Sequence, residues 1–168
     1  MKTRLSTLWQ VLFLSTFYPV ISSCTHVAPS CPSPMTPSGP APSAGCVAIQ
    51  QGKLLVVQGF NGEISIPGGS SADHEPARCT AHRETWEETG LHVIPKELIR
   101  QFDNGFHLYR CEVDPVTEKL NPPFRLEIQH AFWLDPENFS NYNWRFKEQQ
   151  AWLAKLLTQY SAQKDTAQ

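Results

Sequence analysis

The sequence predicts an α+β sandwich, and three observations carry that expectation. Short apolar runs with hairpin punctuation follow residue 44. From Glu75 to Thr89 strand alternation stops, with Pro76 at the front and Gly90 behind, as at the two ends of a helix. Near the C-terminus apolar residues recur at helical spacing. Strands on either side of one helix, with a second helix at the end, make a sheet with helices packed on it.

Taken in chain order, the first segment reads as an address. Lys2 and Arg4 precede a mostly apolar run from Leu5 to Ile21, the layout of a secretory signal peptide over residues 1–23. The run is short for a membrane-spanning helix and Pro19 disturbs its last turn, so an uncleaved anchor is the alternative. It closes on Ile21-Ser22-Ser23-Cys24, which resembles the lipobox of bacterial lipoproteins. The resemblance implies lipidation of Cys24, with several acyl chains holding the protein on a membrane at the cell envelope. Conventional cleavage near Ser23, with Cys24 free or disulfide-bonded, is the other reading. Thr25 stands where an Asp would resemble an inner-membrane retention signal, which points to the periplasmic side of the outer membrane.

Residues 24–43 read as a tether. Between Ala28 and Ser43 there are six Pro and four Ser, a composition too polar to bury a core and stiff enough to stay extended. At about 3.1 Å per residue it holds a domain several nanometres from a lipid surface.

The domain is expected over residues 44–162, with a polar tail at 163–168. Cys46 to Gln50 and Lys53 to Gln58 form a hairpin around Gln51-Gly52, and Glu63 to Ile66 is a third strand closed by Pro67-Gly68-Gly69. After the helix, strands are expected at Leu91 to Ile94, Gly105 to Val113 and Phe124 to Leu134. Apolar residues at 146, 152, 153, 156 and 157 place the second helix within Trp144 to Tyr160. The whole chain carries 14 basic and 16 acidic groups in 168 residues, without the basic footprint of a nucleic-acid binder. Nothing in the sequence sets an oligomeric state.

The stretch from Gly69 to Leu91 reads GSSADHEPARCTAHRETWEETGL. It resembles the Nudix box, matching at Gly69, Glu75, Arg83, Glu84, Glu87, Glu88, Gly90 and Leu91, with Ile66-Pro67-Gly68-Gly69 as the usual approach. At about 6–7 % usage per residue type, seven fixed residues coincide by chance about once in 10⁸ or more positions. One position departs: Thr85 stands where the family carries a bulky aliphatic residue. The resemblance implies a Nudix-like α/β/α sandwich with a mixed sheet. It also implies hydrolysis of a diphosphate linked to another group, either nucleoside diphosphate-linked or another organic diphosphate.

The residues support metal chemistry in their own right. On a helix Glu84, Glu87 and Glu88 are spaced i, i+3 and i, i+4, so their carboxylates share a face. Like charges at that spacing destabilise a bare helix, and hard oxygen clusters are what Mg²⁺ or Mn²⁺ prefers. A solvated acidic face is the bland alternative. By the resemblance, Gly69 contributes a carbonyl beside Glu84, Glu87 and Glu88 at the metal. Arg83 orients carboxylates such as Glu75. The general base is Glu88 or Glu127, the latter as the outward residue of an alternating strand. Ala77 and Ala81 face the sheet at i, i+4, and Thr85 continues their stripe at some cost in packing. His74 and His82 have no required place in the box, and His107 and His130 lie in strand-like segments without a distinguishing signal.

Cys31, Cys46, Cys79 and Cys111 form an even set for an oxidising compartment, and three pairings are open. Two of Cys46, Cys79 and Cys111 are placed to pair, with buried free thiols as the alternative. Trp144, Phe106 and Tyr109 either stack a ligand or fill the core, and core is the expected fate. A non-catalytic Nudix-fold binding or regulatory lipoprotein is the competing class. Such proteins lose box carboxylates, and all are present here.

Overall fold

The computed structural model describes residues 28–32, 38–116, 119–123 and 127–165; the expected signal segment and Cys24 lie outside the described residues. Strands β1 (Ser43–Gln50) and β2 (Lys53–Gly59) form the expected hairpin. Its two-residue turn has positive φ at both Gln51 and Gly52, which matches the twist of the paired strands. Strand β3 (Ile64–Ser65) pairs with β2. Strand β4 (Gly68–Ser70) pairs antiparallel with the start of β1, so two residues expected only to turn are themselves in the sheet. Helix α1 (Ala77–Thr89) follows, then β5 (Val93–Gln101), β6 (Phe106–Val113), β7 (Ile128–Leu134), a 3-10 helix (Pro136–Asn141) and α2 (Lys147–Asp165).

The sheet is mixed. Its order is β3-β2-β1-β6-β5, with β7 also on β2, and β1 runs parallel to β6 while the other pairs are antiparallel. Strand β5 runs well beyond the expected Leu91 to Ile94. Pro95 does not stop it because β5 is an edge strand and the register with β6 shifts just after Pro95. A missing N–H is tolerated at such a place. Helix α2 begins at Lys147, later than Trp144, because Trp144 bridges Ile64 and the Arg145 amide donates to the Ile64 carbonyl at 2.9 Å.

Alternation along β1 divides the interior into two layers. Ala44, Cys46 and Ala48 face α1 together with Leu55, Ala77, Ala81, Val93, Tyr109 and Cys111. Val47 faces the other way, into a cluster with Leu54, Val56, Ile64, Leu108, Leu134, Phe139, Trp144, Leu153 and Leu157. Trp144 and Tyr109 are therefore core, as expected. Trp144 also donates Nε1–H to the Phe139 carbonyl at 3.0 Å, which satisfies its one polar group.

The stripe Ala77, Ala81, Thr85 and Thr89 is buried along α1. Thr85 Oγ1 donates to the Ala81 carbonyl at 2.7 Å and Thr89 Oγ1 to the Thr85 carbonyl at 2.6 Å. Each hydroxyl is satisfied within the helix, so the sequence departure at Thr85 leaves no unpaired polar atom in the core. At the other end Gly90 takes φ +79 and its amide donates to the Trp86 carbonyl at 2.7 Å. A side chain there would collide with the Asn121 backbone.

The ordered fold takes in residues before Ala44, within the span read as tether. Pro76, the N-cap of α1, offers no side-chain oxygen. The Ala77 amide instead donates to the Gly39 carbonyl at 3.2 Å and the Arg78 amide to Ser38 Oγ at 3.1 Å. Two of the helix's unsatisfied N–H groups are thus capped from a distant segment. Pro40 bridges Pro76, Ala41 is buried, and Cys31 is disulfide-bonded to Cys79 on α1. The second disulfide, Cys46–Cys111, joins adjacent strands β1 and β6 at a Cα separation of 5.5 Å. Of the three pairings open in the sequence, the structure has this one.

Candidate active site

The β4 strand and α1 create the site between them. Glu84 lies against Gly69, and a Cβ on that glycine would strike the Glu84 carboxylate and force it out of its present position. One turn further on, Glu88 Oε2 accepts the Gly68 amide at 2.9 Å. Two box carboxylates therefore lie on the glycine backbone, and the missing side chain at Gly69 is what leaves Glu84 room to approach.

Arg83 fixes the remaining acids. Its Nε and Nη2 bind both oxygens of Glu75 at 3.0 and 2.8 Å, a bidentate fork. Nη1 donates to Glu84 Oε1 at 2.7 Å and Glu87 Oε2 at 3.3 Å, and Nη2 also donates to the Ser70 carbonyl at 2.9 Å. Glu75 Oε2 additionally accepts the Ala72 amide at 3.0 Å and Thr80 Oγ1 at 2.9 Å. The guanidinium above all, with those two donors, lowers the Glu75 pKa to about 2.

Glu88 is the opposite case. Burial first, and then the like charges of Glu84 and Glu127, raise its pKa to about 8; the Gly68 amide and Arg145 oppose this only in part. Glu84 is shifted upward too, again chiefly by burial. One guanidinium thus does not neutralise the acids gathered here. Among the described residues no three Asp, Glu, His or Cys side chains converge tightly enough to enclose a cation by themselves. Mg²⁺ does not require that: it is commonly held by one or two carboxylates, with waters and substrate phosphates completing its shell. Glu84 and Glu88, hard oxygen donors in excess negative charge beside the Gly69 backbone, fit such an ion.

The structure brings Gly69, Arg83, Glu84 and Glu88 together, with Glu87 held toward Arg83. Glu127 is exposed just before β7, outside the alternating strand in which the sequence places it, yet its charge acts on both Glu84 and Glu88. His82 is buried, its Nδ1–H donating to the Val93 carbonyl at 2.6 Å. His74 and His130 are exposed. Sequence reasoning missed Arg145, whose proximity to Glu88 arises from a segment 57 positions away with no periodic signal. It also missed the Ser70 carbonyl as a partner of Arg83.

The NUDIX domain family model matches residues 39–159. A MutT-like protein of Streptomyces ambofaciens is 30% identical over 103 residues, covering 58% of this chain and 64% of that protein's own length. Among solved structures, an ADP-ribose pyrophosphatase from Streptococcus suis superposes with a TM-score of 0.55 at 18% identity, covering 68% of this chain and 89% of that one. A UDP-X diphosphatase superposes with a TM-score of 0.59 at 16% identity, covering 76% and 66%. At such identities these two structures establish the fold, with its mixed sheet between helices.

Proposed function

Since the chain belongs to the NUDIX domain family, we propose that it is a metal-dependent diphosphate hydrolase acting at the cell envelope. Its substrate in this reading is a nucleoside diphosphate-linked or other organic diphosphate. One observation carries the proposal: the complete set of box carboxylates is present, with Glu84 and Glu88 set against the Gly68–Gly69 backbone and Glu75, Glu84 and Glu87 fixed by Arg83. A binding module without turnover has no need of that concentration of buried negative charge, which costs stability. The names of the two similar structures, which act on ADP-ribose and on UDP-linked compounds, accord with a diphosphate substrate.

Gly69, Glu84, Glu87 and Glu88 are the residues that would hold Mg²⁺ or Mn²⁺, which when bound supplies charge neutralisation and a more acidic water. Arg83 keeps the carboxylates in place, since its fork to Glu75 fixes the guanidinium and its other nitrogen then restrains Glu84 and Glu87. The Gly68 amide orients Glu88, which is the first candidate to take a proton from an attacking water. Glu127, exposed just before β7, is the second candidate for that step.

The envelope location rests on the signal-like segment and the lipobox-like Cys24. Two disulfides, Cys31–Cys79 and Cys46–Cys111, support export, because such bonds persist in oxidising compartments. The deciding experiment is a screen of the protein against nucleotides, nucleotide sugars and isoprenoid diphosphates with Mg²⁺, Mn²⁺ or EDTA. Metal-dependent phosphate release from at least one compound is expected. Metal-independent turnover, or none across the panel, refutes the proposal.

A further inference from the structure

The helix that carries the box acids is held at its front by a segment that precedes the sheet. Cys79, in the first turn of α1, is disulfide-bonded to Cys31. The Gly39 carbonyl and Ser38 Oγ cap the Ala77 and Arg78 amides. Two further contacts tie the same segment to the loop in front of α1. The Ser71 amide donates to the Pro42 carbonyl at 3.1 Å, and Pro40 bridges Pro76. That loop carries Glu75. Ser71 Oγ is 2.8 Å from Thr80 Oγ1, which donates to Glu75 Oε2 at 2.9 Å. Glu75 in turn takes the bidentate fork of Arg83, whose Nη1 restrains Glu84 and Glu87. A continuous path of polar contacts therefore runs from residues 38–42 to the box carboxylates.

Burial does little to fasten that segment. Of residues 38–42 only Ala41 is buried, while Gly39, Pro40 and Pro42 are exposed. Contacts so open to solvent break at low cost, and a covalent link that keeps the partners close restores them. Cys31–Cys79 is that link. It differs from Cys46–Cys111 in access: Cys31 is exposed, whereas Cys46 and Cys111 are 0% and 4% exposed. Thiol–disulfide exchange needs a thiolate to reach a sulfur, so a small reductant opens the first bond and spares the second.

Resting on the diphosphate-hydrolase reading, we propose that Cys31–Cys79 is a thiol-sensitive clamp that positions the box acids for turnover. Closed, it holds Ser38–Pro42 on the front of α1 and keeps the Glu75–Arg83 fork in register. A dithiol reductant opens it. One thiolate attacks the Cys31 sulfur, the S–S bond breaks, and Cys79 leaves as a thiolate that takes a proton. The reductant's second thiol then displaces Cys31 as a thiol, and the reductant departs as a cyclic disulfide. Two electrons and two protons pass to the protein. The segment detaches, the fork slackens and hydrolysis slows, while α1 stays seated on its buried Ala77, Ala81 and Thr85 stripe. Cys31, Ser38 and Gly39 are thus positioning residues, acting through Glu75 and Arg83.

Hydrogen exchange followed by NMR and hydrolysis assays test the clamp on the full chain, before and after dithiothreitol and in Cys31→Ser. Alkylation with peptide mapping should find Cys31 and Cys79 free and Cys46–Cys111 intact. Exchange of the Ala77 and Arg78 amides should quicken about 5- to 30-fold, the loss of a capping interaction. The Arg83 Nε–H should also exchange faster, which a staple of stability alone does not predict. Well below the melting temperature, kcat should fall about 10- to 100-fold with KM changed far less, and recover on reoxidation. Cys31→Ser should start at the reduced level and ignore the reductant. Should that variant misfold, reversible reduction of the wild type carries the test. Opening of Cys46–Cys111 first, or Arg83 Nε–H exchange unchanged once Cys31–Cys79 is open, overturns the proposal. So does an unchanged kcat in a protein that hydrolyses a diphosphate. If no diphosphate is hydrolysed while both exchange effects appear, the hydrolase reading fails and the positioning role stands.

Discussion

Arg83→Ala should destabilise the fold and erase part of its acid sensitivity. The substitution removes the bidentate fork to Glu75, the contact to Glu84 and the donor to the Ser70 carbonyl, leaving two carboxylates whose side chains are each 15% exposed. Stripping one partner from a buried ion pair costs about 3–5 kcal/mol, and because solvent reaches this cluster about 2–4 kcal/mol is expected. For a domain of this size that corresponds to roughly a 10 °C fall in Tm. The pH dependence follows from Glu75. Its pKa falls from 4.5 to about 2 on folding, so its contribution is complete above about pH 4.5 and is lost as the pH drops toward 2. The full shift would be worth about 3.4 kcal/mol; discounted for solvent screening, about 1–2 kcal/mol remains. Urea denaturation of wild type, Arg83→Ala, Glu75→Gln and the double variant at a series of pH values between 2 and 7 measures both effects. The gap between wild type and Arg83→Ala should narrow through the acid range, and the cycle should give a coupling of about 1–2 kcal/mol. A gap below about 0.5 kcal/mol at pH 7, or one unchanged down to pH 2, would refute the reasoning.

Other expectations are as direct. Glu88→Gln should lower turnover by orders of magnitude yet leave the metal-free protein about as stable near neutral pH, where a Glu88 with its pKa raised to about 8 is mostly protonated, and more stable above that pH, where the carboxylate would be a buried charge near Glu84 and Glu127; thermal unfolding in EDTA at pH 7 and pH 9 paired with an activity assay reads both. Glu87→Gln should likewise reduce activity while the circular dichroism spectrum stays unchanged. Replacing Cys46 and Cys111 together by Ala removes a cross-link spanning 65 positions and should cost about 4 kcal/mol in urea denaturation. Cys24→Ala should move the protein from the membrane fraction to the soluble one, and continued membrane association would sink the lipid-anchor proposal.

How much of this was legible in the sequence follows the range of each interaction. The hairpin at Gln51-Gly52, the span of α1 and its Gly90 stop are local, set by backbone preferences within a few residues. Glu84, Glu87 and Glu88 share a face because the helix repeat alone puts them there. The elements that differ are those in which a distant partner decides. Residues Gly68–Ser70 turn into β4 only because the start of β1 lies alongside, and β5 passes Pro95 only because it is an edge strand.

The sequence by itself therefore determined the family, the order of most elements and the box acids on one helical face, since all of these depend on spacing along the chain. Tertiary structure alone decided which acid is held charged by Arg83 and which have their pKa raised by burial. It also chose the Cys31–Cys79 and Cys46–Cys111 pairs, capped α1 with Ser38 and Gly39, and gathered Arg100, Arg145, Gln149 and Trp152 around one cavity. The physical reason is common to all of them. Burial and charge proximity depend on distance in space, and residues far apart along a chain leave no periodic mark of where folding will bring them together.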